Sequence, residues 1–217
     1  MNKTDELVFA IQAMPPAKVR RARLELESYL RHRSPAVRSV AVEALIRGRA
    51  GAGATRSALQ KEKNELVLAA LCEAALLAAD QASVPLLKRH ARHRSWLVRK
   101  HAAWAVAEIE EARAIPFLRK MLSAEVSRRV RPILQAALFK WGANEALPAL
   151  LENLGSRDYL VRCITANALG DNVAPRRTAR PSVLEALRAA LRSEQTVAAR
   201  EALTNALAVW NRDNRQR

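Results

Sequence analysis

An all-α fold is predicted, a right-handed α-solenoid (an α-α superhelix) of about six helical hairpins within 217 residues. Three observations predict it. A short motif recurs without gaps along most of the chain. Within each copy the apolar residues fall at helical rather than strand spacing. Half of the chain is apolar but only 4% is aromatic, so the core must be built from Ala, Leu and Val; six Gly and nine Pro are too few for a turn-rich β protein.

The copies read SPAVRSVAVEAL from Ser34, NELVLAALCEAA from Asn64, SWLVRKHAAWAV from Ser95, SRRVRPILQAAL from Ser127, RDYLVRCITANAL from Arg157 and TVAAREALTNAL from Thr196. One residue serves as the anchor of each: Val37, Val67, Val98, Val130, Val161 and Ala199. Their spacings are 30, 31, 32, 31 and 38. The last shortens to about the common value if residues 173–180, within a loop taken as 171–181, are an insertion. Three residues before the anchors stand Ser34, Asn64, Ser95, Ser127, Asp158 and Thr196, all side chains able to cap a helix by accepting a backbone N–H. Counting from the anchor, positions 0, +3, +4, +7 and +8 share one helix face. They are Val37, Val40, Ala41, Ala44 and Leu45 in the first copy and Val130, Ile133, Leu134, Ala137 and Leu138 in the fourth. Position +7 is Ala in all six, as expected where two helix backbones approach closely. These are the second helices of the hairpins.

The first helices lie between them. Residues 83–92, 114–122 and 146–154 share a Pro (Pro85, Pro116, Pro148) followed by paired apolar residues, and 17–30 and 182–192 correspond to them at the ends. Residues 1–16 read as an N-terminal capping helix ended by Pro15 and Pro16. Residues 48–53 (GRAGAG) read as a flexible break between the first two hairpins, and 211–217 as a basic tail. The whole, 1–217, is taken as a single solenoid domain with its repeats in 17–210.

The cap, V-R, A-x-x-A-L, x-V-P-x-L-L pattern resembles the HEAT-like repeats first named from phycobilisome lyases, over roughly residues 17–210. The resemblance implies a protein-binding scaffold in most cases, with lyases, hydroxylases and DNA glycosylases as a minority. The Asp expected at the helix cap survives only as Asp158, which implies a weakened Asp–Arg ladder between repeats.

The formal charge is +16, from 37 basic and 21 acidic residues, and such an excess attracts polyanions. Only eight of the basic residues are Lys and the chain is rich in Ala, so a high-GC coding bias explains the charge as readily as a function does. Cys72 and Cys163 stand far apart without a CxxC, which points to neither zinc nor a disulfide framework. Neither a signal peptide nor an apolar run of membrane-spanning length is read, so a cytoplasmic location is expected.

The candidate binding residues are Arg38, Arg99, Lys100, Trp104, Arg131, Arg162 and Arg200. The arginines follow the anchors, with Leu68 the exception, and read either as a basic ladder or as hydrogen-bonding links between repeats. Lys100, Ala103 and Trp104 stand at positions +2, +5 and +6, expected on the open concave side, where Trp and Arg make interface anchors. Trp96, Trp141 and Trp210 stand near helix ends and read as packing. His90 and His93 at i, i+3 lack a carboxylate or thiol partner, so no metal site is assigned. The dense run 88–100 reads as a solvated basic face, with phosphate binding as the alternative, and the arginines 176, 177, 180, 212, 215 and 217 as solubilising charge.

No catalytic residue is assigned. The dipeptide His-Glu of the HEAT-like di-iron hydroxylases never occurs, and the concave acids Glu43, Glu73 and Glu201 lack the aromatic cluster of the HEAT-like glycosylases. No P-loop, Rossmann or nucleophile–base motif is present. The expectation is a non-catalytic scaffold without a cofactor, binding an acidic partner protein through its concave surface. The alternative is a solenoid that binds nucleic acid through phosphate contacts.

Overall fold

The computed structural model describes residues 2–171 and 177–212. It is 81% helical, with no strand among the described residues. The chain divides into two compact units, Met1–Glu110 and Glu111–Arg217.

In the first unit, α1 (Lys3–Gln12) precedes a helix broken at Ala22 into α2 (Pro16–Arg21) and α3 (Arg23–Tyr29), which pairs with α4 (Pro35–Gly48) as hairpin 1. The sequence had implied one helix over 17–30. Hairpin 2 is α5 (Ala52–Lys61) with α6 (Glu65–Leu77), and hairpin 3 is α7 (Val84–His90) with α8 (Trp96–Glu110). The second helices form the inner layer: α4 packs on α6 and α6 on α8, each with its own first helix against it. Arg47 of α4 donates to the carbonyls of Ile11 and Gln12, fastening the end of α1.

The second unit repeats the scheme. Hairpin 4 is α9 (Ile115–Ala124) with α10 (Arg131–Trp141), hairpin 5 is α11 (Leu147–Glu152) with α12 (Tyr159–Asp171), and hairpin 6 is α13 (Arg180–Ser193) with α14 (Val197–Arg212). α10 packs on α12 and α12 on α14. Residues 172–176 of the expected loop and 213–217 of the expected tail lie outside the described residues, as do Arg176, Arg215 and Arg217. The rest of that loop is helical, 177–179 being a 3-10 turn that leads into α13.

Local chemistry explains where helices start and stop. Pro16, Pro35, Pro85, Pro116, Pro132, Pro148 and Pro181 all stand in a first helical turn, where a missing N–H costs no hydrogen bond. Pro132 also moves a boundary. It delays α10 to Arg131, leaving residues 128–130 as a turn instead of the helix expected directly after Ser127. At the far ends, Arg49, Ala79, Glu111 and Gly142 take positive φ. After three of them a six-residue hydrogen bond closes the helix: Ala50 N–H to Leu45, Asp80 to Ala75 and Ala143 to Leu138. The break read over residues 48–53 is thus confined to residues 49–51 between the first two hairpins. Gly48 ends α4 and Gly53 lies within α5.

The predicted core face is buried. Ala44, Ala74, Ala105, Ala137, Ala168 and Ala206 are each at most 6% exposed, and Ile133 is the half-buried member of its set. A Cβ on Gly48 would run into Val19 of α2. Gly48→Ala and Ala137→Leu are therefore each expected to cost roughly 1–3 kcal/mol by overpacking. Ala79→Gly, which relieves a left-handed backbone, is expected to stabilise the fold by up to about 1 kcal/mol. Urea unfolding followed by circular dichroism reads all three; an unchanged midpoint for Ala137→Leu would displace the helix register.

Candidate functional site

The turn joining the two helices of each hairpin is closed by a side chain two residues before the expected cap. His32 accepts the Ser34 N–H at Nδ1 (3.1 Å), and His93 accepts that of Ser95 (3.1 Å). Carboxylates do the same in alternate turns: Glu62 accepts from Asn64, Glu125 from Ser127 and Glu194 from Thr196, each at 2.8 Å. In hairpin 5 the Ser156 hydroxyl accepts from Asp158 at 3.3 Å. His, Glu and Ser share no composition, only the ability to accept, and sequence reasoning missed them. The available signal was their constant register before the cap.

The arginine after each anchor locks this turn. Its Nη1 donates to the carbonyl of the same turn residue: Arg38 to His32 (2.8 Å), Arg99 to His93 (2.9 Å), Arg131 to Glu125 (2.9 Å), Arg162 to Ser156 (2.6 Å) and Arg200 to Glu194 (2.7 Å). Two of them also grip the next hairpin in two-pronged ion pairs. Arg38 meets Glu62 at 2.7 and 2.9 Å, and Arg162 meets Glu194 at 2.5 and 2.8 Å. Where Leu68 replaces the arginine, the next turn carries His93 in place of a carboxylate. The link between repeats, expected to be weak for want of cap aspartates, thus runs through glutamates two residues upstream. Asp158 makes its own contact, from Arg129 at 3.0 Å.

The caps divide. Asn64 accepts from the Leu66 and Val67 N–H groups and Asp158 from Leu160, while Ser127 accepts at 3.3 Å from Arg129 within the turn. Ser34 makes no side-chain cap bond, and the Thr196 hydroxyl accepts from Arg162. The turn acceptors upstream have taken over part of the expected capping.

Burial fixes the electrostatics of these groups. The Arg162 hydrogen bonds hold the Glu194 carboxyl down to about 2, against the opposing effect of burial. Burial pushes Glu62 up, but the Arg38 hydrogen bond and two backbone N–H groups outweigh it, and the net shift is downward. His90 is buried with Nε2 3.0 Å from the Leu59 carbonyl, a structural bond between hairpins 2 and 3. Burial lowers its pKa. No group of three or more metal-ligating side chains forms among the described residues.

The other predicted residues lie along the helices. The open strip of the second helices is narrower than expected: position +5 is closed at Val42, Ala103 and Gln135, all buried. Position +6 stays open at Glu43, Glu73, Asn167 and Asn205, with Trp104 half-buried. Lys100 is half-buried too; burial lowers its pKa while Glu73 of α6 raises it. The structure therefore sets Lys100 and Trp104 on the inner-helix face and the five arginines in the turns. Leu66 and Leu77, each 62% exposed, flank Ala70 and Glu73 in one stripe of α6 at i, i+4, i+7 and i+11. Trp210, read as packing, is buried and its indole N–H donates to the Leu169 carbonyl.

Residues 52–138 match a family model described as HEAT repeats. HEAT repeats are shown for that stretch. The match covers hairpins 2 and 3 and most of hairpin 4, less than half of the chain, and the remaining hairpins carry the same anchors and turn chemistry. No curated protein matches the chain. HEAT repeats commonly serve as protein-interaction scaffolds. No described helix is long and apolar enough to cross a membrane.

Acid stability follows from these groups. Burial and the adjacent Lys100 hold His101 down to about 4 from an ordinary 6.5. The unfolded chain thus binds the extra proton first, and stability falls as pH drops from 6.5 towards 4. Glu194, held below its ordinary 4.5, adds stability that is present above 4.5 and lost towards pH 2. Glu194→Gln is expected to cost roughly 2–3 kcal/mol at neutral pH, below the range for a fully buried pair because Arg162 keeps its carbonyl partners. His101→Gln is expected to flatten the limb between pH 6.5 and 4. Urea midpoints across pH check both.

Proposed function

We propose that this HEAT-repeat chain is a non-catalytic scaffold that binds a partner protein across the open face of its inner helices. The observation that carries the reading is the stripe on α6. Leu66 and Leu77 expose most of their surface on one stripe of α6 with Ala70 between them, and an apolar stripe of this kind supports a contact face. Trp104 and Lys100 on α8 and Glu43 on α4 flank it, giving an apolar centre with a charged rim, the usual layout of a protein interface. The net charge of +16 favours an acidic partner. The turn arginines support this face by fixing neighbouring hairpins to one another. Burial pushes the Cys72 thiol up to about 12, which leaves it without nucleophilic character at neutral pH.

A photo-crosslinking amino acid at position 66 or 77, in the native cell, is expected to trap a discrete protein that survives nuclease treatment. The same probe at Lys120, on a first helix, should trap none. Leu66→Glu with Leu77→Glu should abolish binding of the trapped protein at unchanged helicity. Equal capture from all three positions, or capture only of nucleic acid, would overturn the reading.

A further inference from the structure

Three consecutive turns of the first unit share one charge pattern. Arg31 and Arg33 flank His32, Lys61 and Lys63 flank Glu62, and Arg92 and Arg94 flank His93. The middle side chain is turned back onto the chain, accepting the N–H two residues on. That fold leaves both neighbours outside, and all six cations are exposed. None of the six enters an ion pair among the described residues. Glu62 does not neutralise them, because Arg38 already holds both of its oxygens.

The three turns lie side by side. The Arg38–Glu62 pair joins the first to the second, and the His90 bond to the Leu59 carbonyl joins the second to the third. Packed helices stand about 8–10 Å apart, so the pairs form a row with that repeat. Between α3 and α5 the row opens onto a groove of about 560 Å³ lined by Leu24, Ala54 and Ala58, by Arg31, Lys61 and Lys63, and by the carboxylates of Glu27 and Glu62. Coding bias does not account for the row. A bias towards arginine scatters charge, whereas here the same two positions are basic in three successive turns, once as lysines. In the second unit those positions read Ala124 and Val126, Gly155 and Arg157, Ser193 and Gln195.

We infer that this edge of turns binds the phosphodiester backbone of nucleic acid, without reading base sequence. A linear row of paired cations suits a linear polyanion, and the guanidinium forks of the four arginines match phosphate oxygens. The edge is distinct from the inner-helix face, so either surface can fail its test without the other.

The test is fluorescence anisotropy of the whole chain with a short labelled DNA duplex and a single-stranded RNA. Affinity is expected to fall roughly a thousandfold between 50 and 200 mM salt, as for about six phosphate contacts. Replacing all six edge cations by Gln should weaken binding at least about tenfold and flatten the salt dependence. Gln at Arg20, Arg21, Lys120, Arg128, Arg188 and Arg192, six exposed cations elsewhere, should leave both nearly unchanged. If the six-fold edge variant loses helicity, the doubles R31Q/R33Q, K61Q/K63Q and R92Q/R94Q replace it, each removing about a third of the salt slope. Equal loss in edge and control variants would mark the charge as diffuse and overturn the inference. Tighter binding to polyglutamate than to either nucleic acid, or binding only to phosphatidylserine vesicles, would overturn it as well.

Discussion

Everything in this molecule hangs on how the short turn inside each hairpin is satisfied. Such a turn leaves backbone carbonyls and N–H groups beside a packed core, where unpaired polar groups are costly. The chain answers with two side chains per turn: an acceptor two residues before the cap, and in five of six hairpins an arginine that fills the carbonyl of that same residue. Because the arginine stands on the first turn of the inner helix, filling the carbonyl also fixes how that helix leaves the turn. Where its remaining nitrogens reach a carboxylate in the next turn, the orientation passes to the neighbouring hairpin. A local hydrogen-bonding need thereby becomes the register of an array.

This arrangement also explains the surface. Arginines occupied in the turns are not at liberty to form a basic stripe along the inner helices, whose open positions are acidic, polar or apolar instead. Exposed positive charge gathers on the outer helices and on the flanks of the turns. One short segment therefore contributes to both proposed surfaces: its middle residue and its arginine hold the inner-helix face together, and its flanks carry the outward cations.

Much of the architecture was legible because it rests on repeated, chemically narrow demands. Only Ala fits the close approach at Ala44, Ala74 and their counterparts, and prolines fall in first helical turns, so both stand out against the background. Other features escaped because several residue types meet the same need. An acceptor at the turn can be His32, Glu62 or Ser156. The left-handed helix ends are taken by Arg49, Ala79 and Glu111, where glycine would have announced them. The open strip was overestimated at Ala103 for a different reason: periodicity gives the angle of a side chain but not its burial, and Ala103 is fully buried.

The turn acceptors also carry a parity. Hairpins 2, 4 and 6 have Glu62, Glu125 and Glu194, whereas hairpins 1, 3 and 5 have His32, His93 and Ser156. The observed clamps run from an odd hairpin to the even one after it, Arg38 to Glu62 and Arg162 to Glu194. Excising hairpin 2 alone would set Arg38 against His93, a cation facing an imidazole. Arg38 with Glu62, and Arg162 with Glu194, thus bind hairpins 1 and 2, and 5 and 6, into couples that are best gained or lost together.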